Sequence, residues 1–361
     1  MPSRERIIVA MSGGVDSSVA AAWLVDRGYD VVGVTLHLWD YPDEGATRGR
    51  CCAPEDQHDA RRVADTLGIA HYAFDRRELF AREVVEPFVD AYLAGSTPSP
   101  CSTCNRAVKM GELFALADRL GALKVATGHY ARIVWRDGRP ELHRGVDRSK
   151  DQSYFLSGLT DDQLARMEFP LGQATKAEVR GDAVARGLPG AGKGESQELC
   201  FVPTGHYAAF IEERAGDRLR PGPIVDSGGA VVGQHAGVHR FTLGQRKGLG
   251  VALHEPAFVA AIEPDSGTVR LGKEHDLLHV GARLGEARFF GDVSLPTRAS
   301  VQVRYRHGAV PAALSRDDFG VRVDFDEPVR AVATGQSLVA YDGERVLGGG
   351  TIVRALHGGI A

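Results

Sequence analysis

Long apolar runs are missing from this chain of 361 residues. Nothing approaches the roughly twenty residues that a bilayer-crossing helix needs, and Met1 to Arg6 carries charge with no apolar stretch of signal-peptide length behind it. The expectation is a soluble cytoplasmic protein without a membrane partner. Cysteine is scarce: five residues, an odd number in a chain this long, make no disulfide framework, so the thiols are candidates for ligands or catalysis. Charge of one sign is not in excess either. A formal net charge of -4 predicts no general affinity for nucleic acid, although a local basic surface is compatible with it. Internal repeats and low-complexity tracts are absent. What remains, 43% hydrophobic and 25% charged residues, is enough to bury the cores of two or three domains.

The most informative segment is Ser12-Gly13-Gly14-Val15-Asp16-Ser17, between the apolar run Ile7 to Met11 and a helical pattern from Val15 to Arg27. Paired glycines let backbone N–H groups approach an anion closely, and the following helix points its positive dipole end at the same spot. Ser12 and Ser17 add hydroxyl donors. Asp16 is out of place beside phosphate unless a divalent cation lies between them, so Mg²⁺ is expected with the nucleotide. The segment lacks the Gly-Lys-Ser/Thr ending of a Walker A loop and the spaced glycines of a dinucleotide site. The plainer reading is a strand-turn-helix whose glycines serve only the turn.

Up to about Gly128 the chain alternates strand-like and helix-like patterns, which predicts an α/β domain with a doubly wound parallel sheet. Val31 to Leu38 reads as a buried strand, Pro54 to Leu67 as a helix stopped by Gly68, and Ile69 to Phe74 as a strand. Helix-like Leu79 to Leu93 and Arg106 to Leu120 precede the strand Leu123 to Thr127. Ligands on such sheets gather at the carboxyl ends of strands, where Ser12, the segment after Leu36, and Thr127-Gly128-His129 all fall. Thr175 to Arg186 is a further helical pattern, and the glycine-rich stretch Gly190 to Gly194 is expected to be a mobile loop. Beyond Pro221, short alternating runs between Gly, Asp and Pro turns predict a small central domain and then a C-terminal β-barrel. The expected division is 1–203, 204–280 and 281–361.

Among the cysteines, Cys101-Ser102-Thr103-Cys104 follows Pro98 and Pro100, and Asn105 is expected to cap the next helix. A thiolate is stabilised at a helix N-terminus, which would make Cys104 reactive. Cys200 lies far along the chain. Adjacent Cys51 and Cys52 are awkward for joint binding of one metal and read as small buried hydrophobes. A lone CxxC is compatible with redox, zinc or cluster chemistry; zinc would need two more ligands, and there is no second CxxC.

These residues together resemble the tRNA-specific 2-thiouridylases of the PP-loop ATP pyrophosphatase superfamily. The resemblance rests on Ser12 to Ser18, Thr127 to Tyr130, Lys150 to Phe155, Thr242 to Gly250, Arg304 to Arg306, Cys104 and Cys200. It implies an enzyme that thiolates the wobble uridine of tRNA with ATP. Adenylation turns the urea-like C2 oxygen into a leaving group; sulfur then attacks C2 and AMP departs. By this resemblance Ala10, Met11, Ser12, Gly13, Gly14, Val15, Asp16, Ser17, Leu36 and Gly128 contact ATP. Ser99, Pro100 and Cys101 face the target base, while His129, Lys150, Asp151, Gln152, Arg304, Tyr305 and Gln336 contact tRNA. Cys200 carries a persulfide and Cys104 frees its sulfur, through a transient disulfide between them, with a cysteine desulfurase or a sulfur-relay protein as donor. In part of the family an aspartate with a suggested acid/base role occupies the Cys101 position. Here Cys101, Cys104 and Cys200 instead make three soft ligands suited to a [4Fe–4S] cluster, and both sulfur routes stay open.

Two other readings compete. A PP-loop ligase amidating a small substrate would leave Cys104 and Cys200 without a role, and a non-catalytic ATP- or cluster-binding RNA module would have little need of Asp16. Taken alone, Lys150 and Arg304 read as solvated charges and His129 as a core histidine.

Overall fold

Ile7, Ile8 and Val9 are apolar without alternation, and such a run makes a strand where both of its faces are covered. In the computed structural model, which describes residues 4–40, 54–192, 199–202, 206–252 and 255–358, all three are fully buried. They lie on β1 (Arg6–Ala10), followed by β2 (Asp30–His37), β3 (Ala70–Asp75), β4 (Lys124–Ala126), the hairpin β5 (Ala131–Arg136) and β6 (Arg139–Arg144), and β7 (Met167–Glu168). Apart from the hairpin, these strands form one sheet in the order β3-β2-β1-β4-β7. Every pairing in it is parallel. The order reverses direction between β1 and β4, so a crevice opens beyond their carboxyl ends, the position at which ligands bind open α/β sheets.

Helix α1 (Val15–Asp26) leaves that crevice. Ala21 and Leu24 pack with Ile7, Val9 and Met11, and with Ala60, Val63 and Ala64 of α2 (Pro54–Leu67). Val15, Val19, Ala20 and Ala22 form a second cluster with Tyr130, Leu171, Val179 and Ala183. α1 is therefore apolar on two sides, and its small side chains permit close approach on each.

The chain divides into two compact units, one of residues 1–85, 101–205 and 344–346, the other of 86–100, 206–343 and 347–361. The parallel sheet belongs to the first. In the second, the helix Glu86–Leu93 packs on Tyr207–Ala215, with Tyr92 stacked on Tyr207 at 4.7 Å between ring centroids. A four-stranded sheet, β10-β11-β8-β9, is made of β8 (Gly222–Val225), β9 (Val231–His235), β10 (Phe258–Glu263) and β11 (Thr268–Gly272). Then come β12 (Leu278–Phe289), β13 (Thr297–Gln302), β14 (Val310–Asp317), β15 (Gly320–Arg330), β16 (Ser337–Asp342) and β17 (Arg345–Leu356). These run in the order β12-β15-β14-β13-β16-β17, and β12 pairs with β17 to close a barrel. Its interior is filled by Val301, Leu314, Val323, Leu338 and Ile352. The sequence expectation of a parallel-sheet domain, a smaller β-containing part and a terminal barrel agrees with this architecture; that residues 86–100 join the second unit was not anticipated. Cys51, Cys52, Lys193 and Gly194 lie outside the described residues.

Gly13 has φ +73°, and a Cβ there would stand 2.1 Å from the Asp56 carbonyl oxygen. The left-handed backbone costs a non-glycine residue about 1–2 kcal/mol, and overpacking about 1–3 more. Gly13→Ala is expected to lower stability by about 2–5 kcal/mol, read as a shift in the urea midpoint; an unchanged midpoint would show that this approach is not constrained.

Candidate active site

α1 starts where it does because Gly14, at φ -82° and ψ 158°, is extended rather than helical. Glycine brings no side chain, and no side-chain hydrogen bond caps the helix. The first-turn N–H groups and the positive dipole end are thus directed into the crevice. The Ser17 hydroxyl accepts from the Ser12 N–H at 3.1 Å and donates to the Gly14 carbonyl at 3.0 Å, and the Ser18 hydroxyl donates to the same carbonyl at 3.0 Å. The neighbouring strand ends close on this loop. A Cβ at Gly128, just past β4, would lie 2.9 Å from both Asp16 C and Ser17 N, and on β2 the Thr35 hydroxyl donates to the Met11 carbonyl at 2.6 Å, next to buried Leu36. Ala10 to Ser17, Leu36 and Gly128 are therefore brought to one place, around a helix start whose N–H groups suit a phosphate.

Asp16 has partners that reading the sequence missed. The Lys176 ammonium donates to both of its carboxylate oxygens at 2.7 Å, and the Tyr130 hydroxyl donates to Oδ1 at 2.9 Å. Lys176 is buried, at 8% exposure. Thr175 begins its helix with a full capping box to Glu178, a pattern legible in Thr175-Lys176-Ala177-Glu178. Nothing local in the sequence joins Lys176 to a carboxylate so far away along the chain.

Cys101, Cys104 and Cys200 are thiols, exposed, buried and half-buried in that order. The expected helix start at Cys104 is corrected. A short helix already runs from Pro100 to Thr103, and Cys104–Lys109 continues it as a π-helical turn. Asn105 caps nothing; its side-chain amide donates to the Phe155 carbonyl at 3.3 Å. Cys104 is thus set in a widened helical turn, a feature frequent at functional sites, rather than at a free helix end. That turn packs against Arg77–Phe80 and Ala81–Val85. Phe201, next to Cys200, meets Phe80 edge-on at 5.6 Å and Trp39 at 6.2 Å. One helical run therefore supports both cysteine segments. Among the described residues no three His, Cys, Asp or Glu side chains are gathered to hold a single metal ion.

The other expected contact residues fall into two groups. In the first unit, Asp151 accepts from Arg144 at 2.9 Å, from the Gly145 N–H at 3.1 Å and from Ser153, and Gln152 exchanges hydrogen bonds with the Tyr130 backbone at 2.9 and 3.0 Å. Both shape the loop, and Lys150 stands half-exposed beside them. His129 accepts or shares a hydrogen bond with Thr127 Oγ1 at 2.7 Å; burial first, and the charge of Lys109 second, lower its ring pKa to about 3. It is neutral at neutral pH. In the second unit, the Gln336 amide donates to the carbonyls of Thr97 and Pro98 at 3.0 and 3.2 Å, fixing the chain that leads to Ser99 and Pro100. Arg304 and Tyr305 occupy the turn between β13 and β14, closed by the His307 N–H on the Arg304 carbonyl at 3.1 Å.

Comparison with known proteins agrees along the chain. Residues 5–204 match the family model described as the tRNA methyl transferase HUP domain, 208–273 its PRC-barrel domain, and 281–352 an aminomethyltransferase beta-barrel domain. The chain is 61% identical to the tRNA-specific 2-thiouridylase MnmA of Sorangium cellulosum (strain So ce56), covering 98% of this chain and 94% of that protein. It is 50% identical to the protein of the same name from Solibacter usitatus (strain Ellin6076), over 96% and 98%. With that from Carboxydothermus hydrogenoformans (strain ATCC BAA-161 / DSM 6008 / Z-2901) the identity is 46%, over 98% and 99%.

The folded pKa of His129 lies below the ordinary value near 6.5, so the unfolded chain takes up the proton first as pH falls. His129 therefore withdraws stability progressively from about pH 6.5 downward and has no such effect above it. His129→Gln is expected to flatten the acid limb of melting temperature against pH between roughly 6 and 4. If the limb keeps its slope, the ring is not held neutral.

Proposed function

The chain belongs to the tRNA-specific 2-thiouridylase family, and from that premise we propose that it uses ATP to exchange the C2 oxygen of a tRNA uridine, at the wobble position, for sulfur. The observation that carries this reading is the side-chain-free start of α1 at the β1/β4 crevice, in the same unit as Cys104 and Cys200. The uridine carbonyl is urea-like and a poor electrophile. Transfer of AMP to its oxygen makes that oxygen a leaving group, and the first-turn N–H groups with the Ser12 hydroxyl receive the pyrophosphate, the Ser17 hydroxyl being spent on the Gly14 carbonyl. The hard carboxylate of Asp16 fits Mg²⁺, which when bound would offset charge on the phosphates.

For sulfur, Cys200 takes a persulfide from a cysteine desulfurase or a relay protein. The Cys104 thiolate attacks Cys200 Sγ, hydrosulfide leaves, and a Cys104–Cys200 disulfide forms, which a thiol reductant later reopens. Hydrosulfide attacks C2 and AMP departs with the original oxygen. Cys101 favours a second reading: Cys101, Cys104 and Cys200 would hold an iron–sulfur cluster, which when bound supplies an iron able to accept a soft anion. Ser99 to Cys101 face the base, and Lys150, Arg304 and Tyr305 meet phosphates; neutral His129 can only share hydrogen bonds, and Asp151, Gln152 and Gln336 hold loops in place.

The test is an anaerobic thiolation assay with iron analysis. Cys104→Ala and Cys200→Ala are expected to abolish thiolation while ATP still binds; thiolation surviving in either would overturn the assignment. Iron-free protein that thiolates tRNA from a persulfide donor selects the relay, and activity that tracks iron and disappears in Cys101→Ser selects the cluster. Separately, Lys150→Ala or Arg304→Ala is expected to weaken tRNA binding and to reduce the salt slope of the affinity by about one each. Unchanged slopes would place both side chains away from the phosphates.

A further inference from the structure

Asp16 is an acid in the very turn that is to receive an anion. Left uncovered, it would oppose phosphate binding. Lys176 covers it with two short hydrogen bonds of 2.7 Å, and these engage the same two oxygens that a divalent cation would need. An ammonium bound to both oxygens and a metal ion bound tightly to either compete for lone pairs and repel each other. Several contacts fix the base of Lys176. Its backbone N–H donates to Asp147 Oδ2 at 3.0 Å, Thr175 and Glu178 lock the helix start, and the ammonium lies 5.7 Å from the Tyr130 ring centre. The four-carbon stem is what can turn. A lysine released from Asp16 is left beside the α1 N-terminus, where bound phosphates would offer it acceptors.

We propose that Lys176 is an exchangeable cation of the phosphate site: it neutralises Asp16 while the cradle is empty, and it is passed to the pyrophosphate when a divalent ion takes Asp16. This rests on the nucleotide reading above. It assigns Lys176 to the pyrophosphate and explains why a buried lysine begins a helix that packs on α1.

Calorimetry of Mg²⁺ alone, and of pyrophosphate at saturating Mg²⁺, separates the possibilities. Lys176→Met removes the competitor and the phosphate contact together, so its Mg²⁺ affinity should rise and its pyrophosphate affinity fall, each by roughly tenfold. Lys176→Arg keeps the charge and grips a carboxylate through a planar fork, so its Mg²⁺ affinity should fall below wild type; this variant carries the test if the methionine variant does not fold. The gain in Lys176→Met must vanish in Lys176→Met combined with Asp16→Asn. A merely structural lysine would leave both affinities unchanged in the folded variants, and that result overturns the inference. Wild-type protein that binds neither Mg²⁺ with pyrophosphate nor Mg²⁺ with ATP would instead overturn the nucleotide reading on which it stands.

Discussion

The N–H groups at the start of α1 can receive an anion because, among the described residues, no side chain caps them. Gly14 supplies no capping side chain, and the serine hydroxyls of the loop are turned onto the Gly14 carbonyl and the Ser12 N–H. A helix end of this kind is a stored positive potential, effective only while its first turn keeps its place. The surrounding structure serves that requirement. Gly13 takes a left-handed conformation against the α2 backbone and Gly128 lies on the Asp16–Ser17 peptide, so the loop is clamped by main chain from two directions.

The clamp works because α1 is built from small residues. Val19 to Ala22 are fully buried, and they let the helix approach the sheet on one side and the Leu171–Val179 layer on the other. The second layer carries Tyr130 and leads into the Lys176 helix. Packing and electrostatics are therefore coupled. The contacts that bury α1 also bring a cation and a hydroxyl to Asp16, and a change that loosens this layer would alter the charge balance at the phosphate site as well as stability.

Features resting on local chemistry were legible in the sequence. A buried β-branched run gave β2, Pro54 and Gly68 bounded α2, and the strand–glycine–helix order located the cradle at the carboxyl end of β1. The barrel could be read from alternation such as Val301, Val303 and Val321, Val323. The misreadings concern what the chain does over distance or by continuity. Asn105 was expected to cap a helix after the CxxC, yet proline is at home in the first turn of a helix, and the helix that Pro100 begins carries through to Cys104. The Lys176–Asp16 pair could not be read, because helical and strand periodicities report which face a residue occupies and not which remote residue it will meet. For Asp151 and Gln152, expected to contact tRNA, the structure adds the bonds that tie them into their own loop, which the sequence did not announce.

The site combines two chemistries with opposite demands. Phosphate activation needs hard donors and fixed charge, the part proposed for the α1 N-terminus, Asp16 and Lys176. Sulfur transfer needs soft groups that can approach and separate, and the two cysteines proposed for it are held differently. Cys104 is buried within a π-helical turn, where the widened backbone interrupts regular helical bonding. Cys200 is half-buried, and its neighbour Phe201 packs edge-on against Phe80 and Trp39, which also meet each other. The ring contacts of the adjacent Phe201 fix the position of the segment that carries the sulfur. That arrangement suits a group that must first receive sulfur from another molecule and then deliver it inside the site.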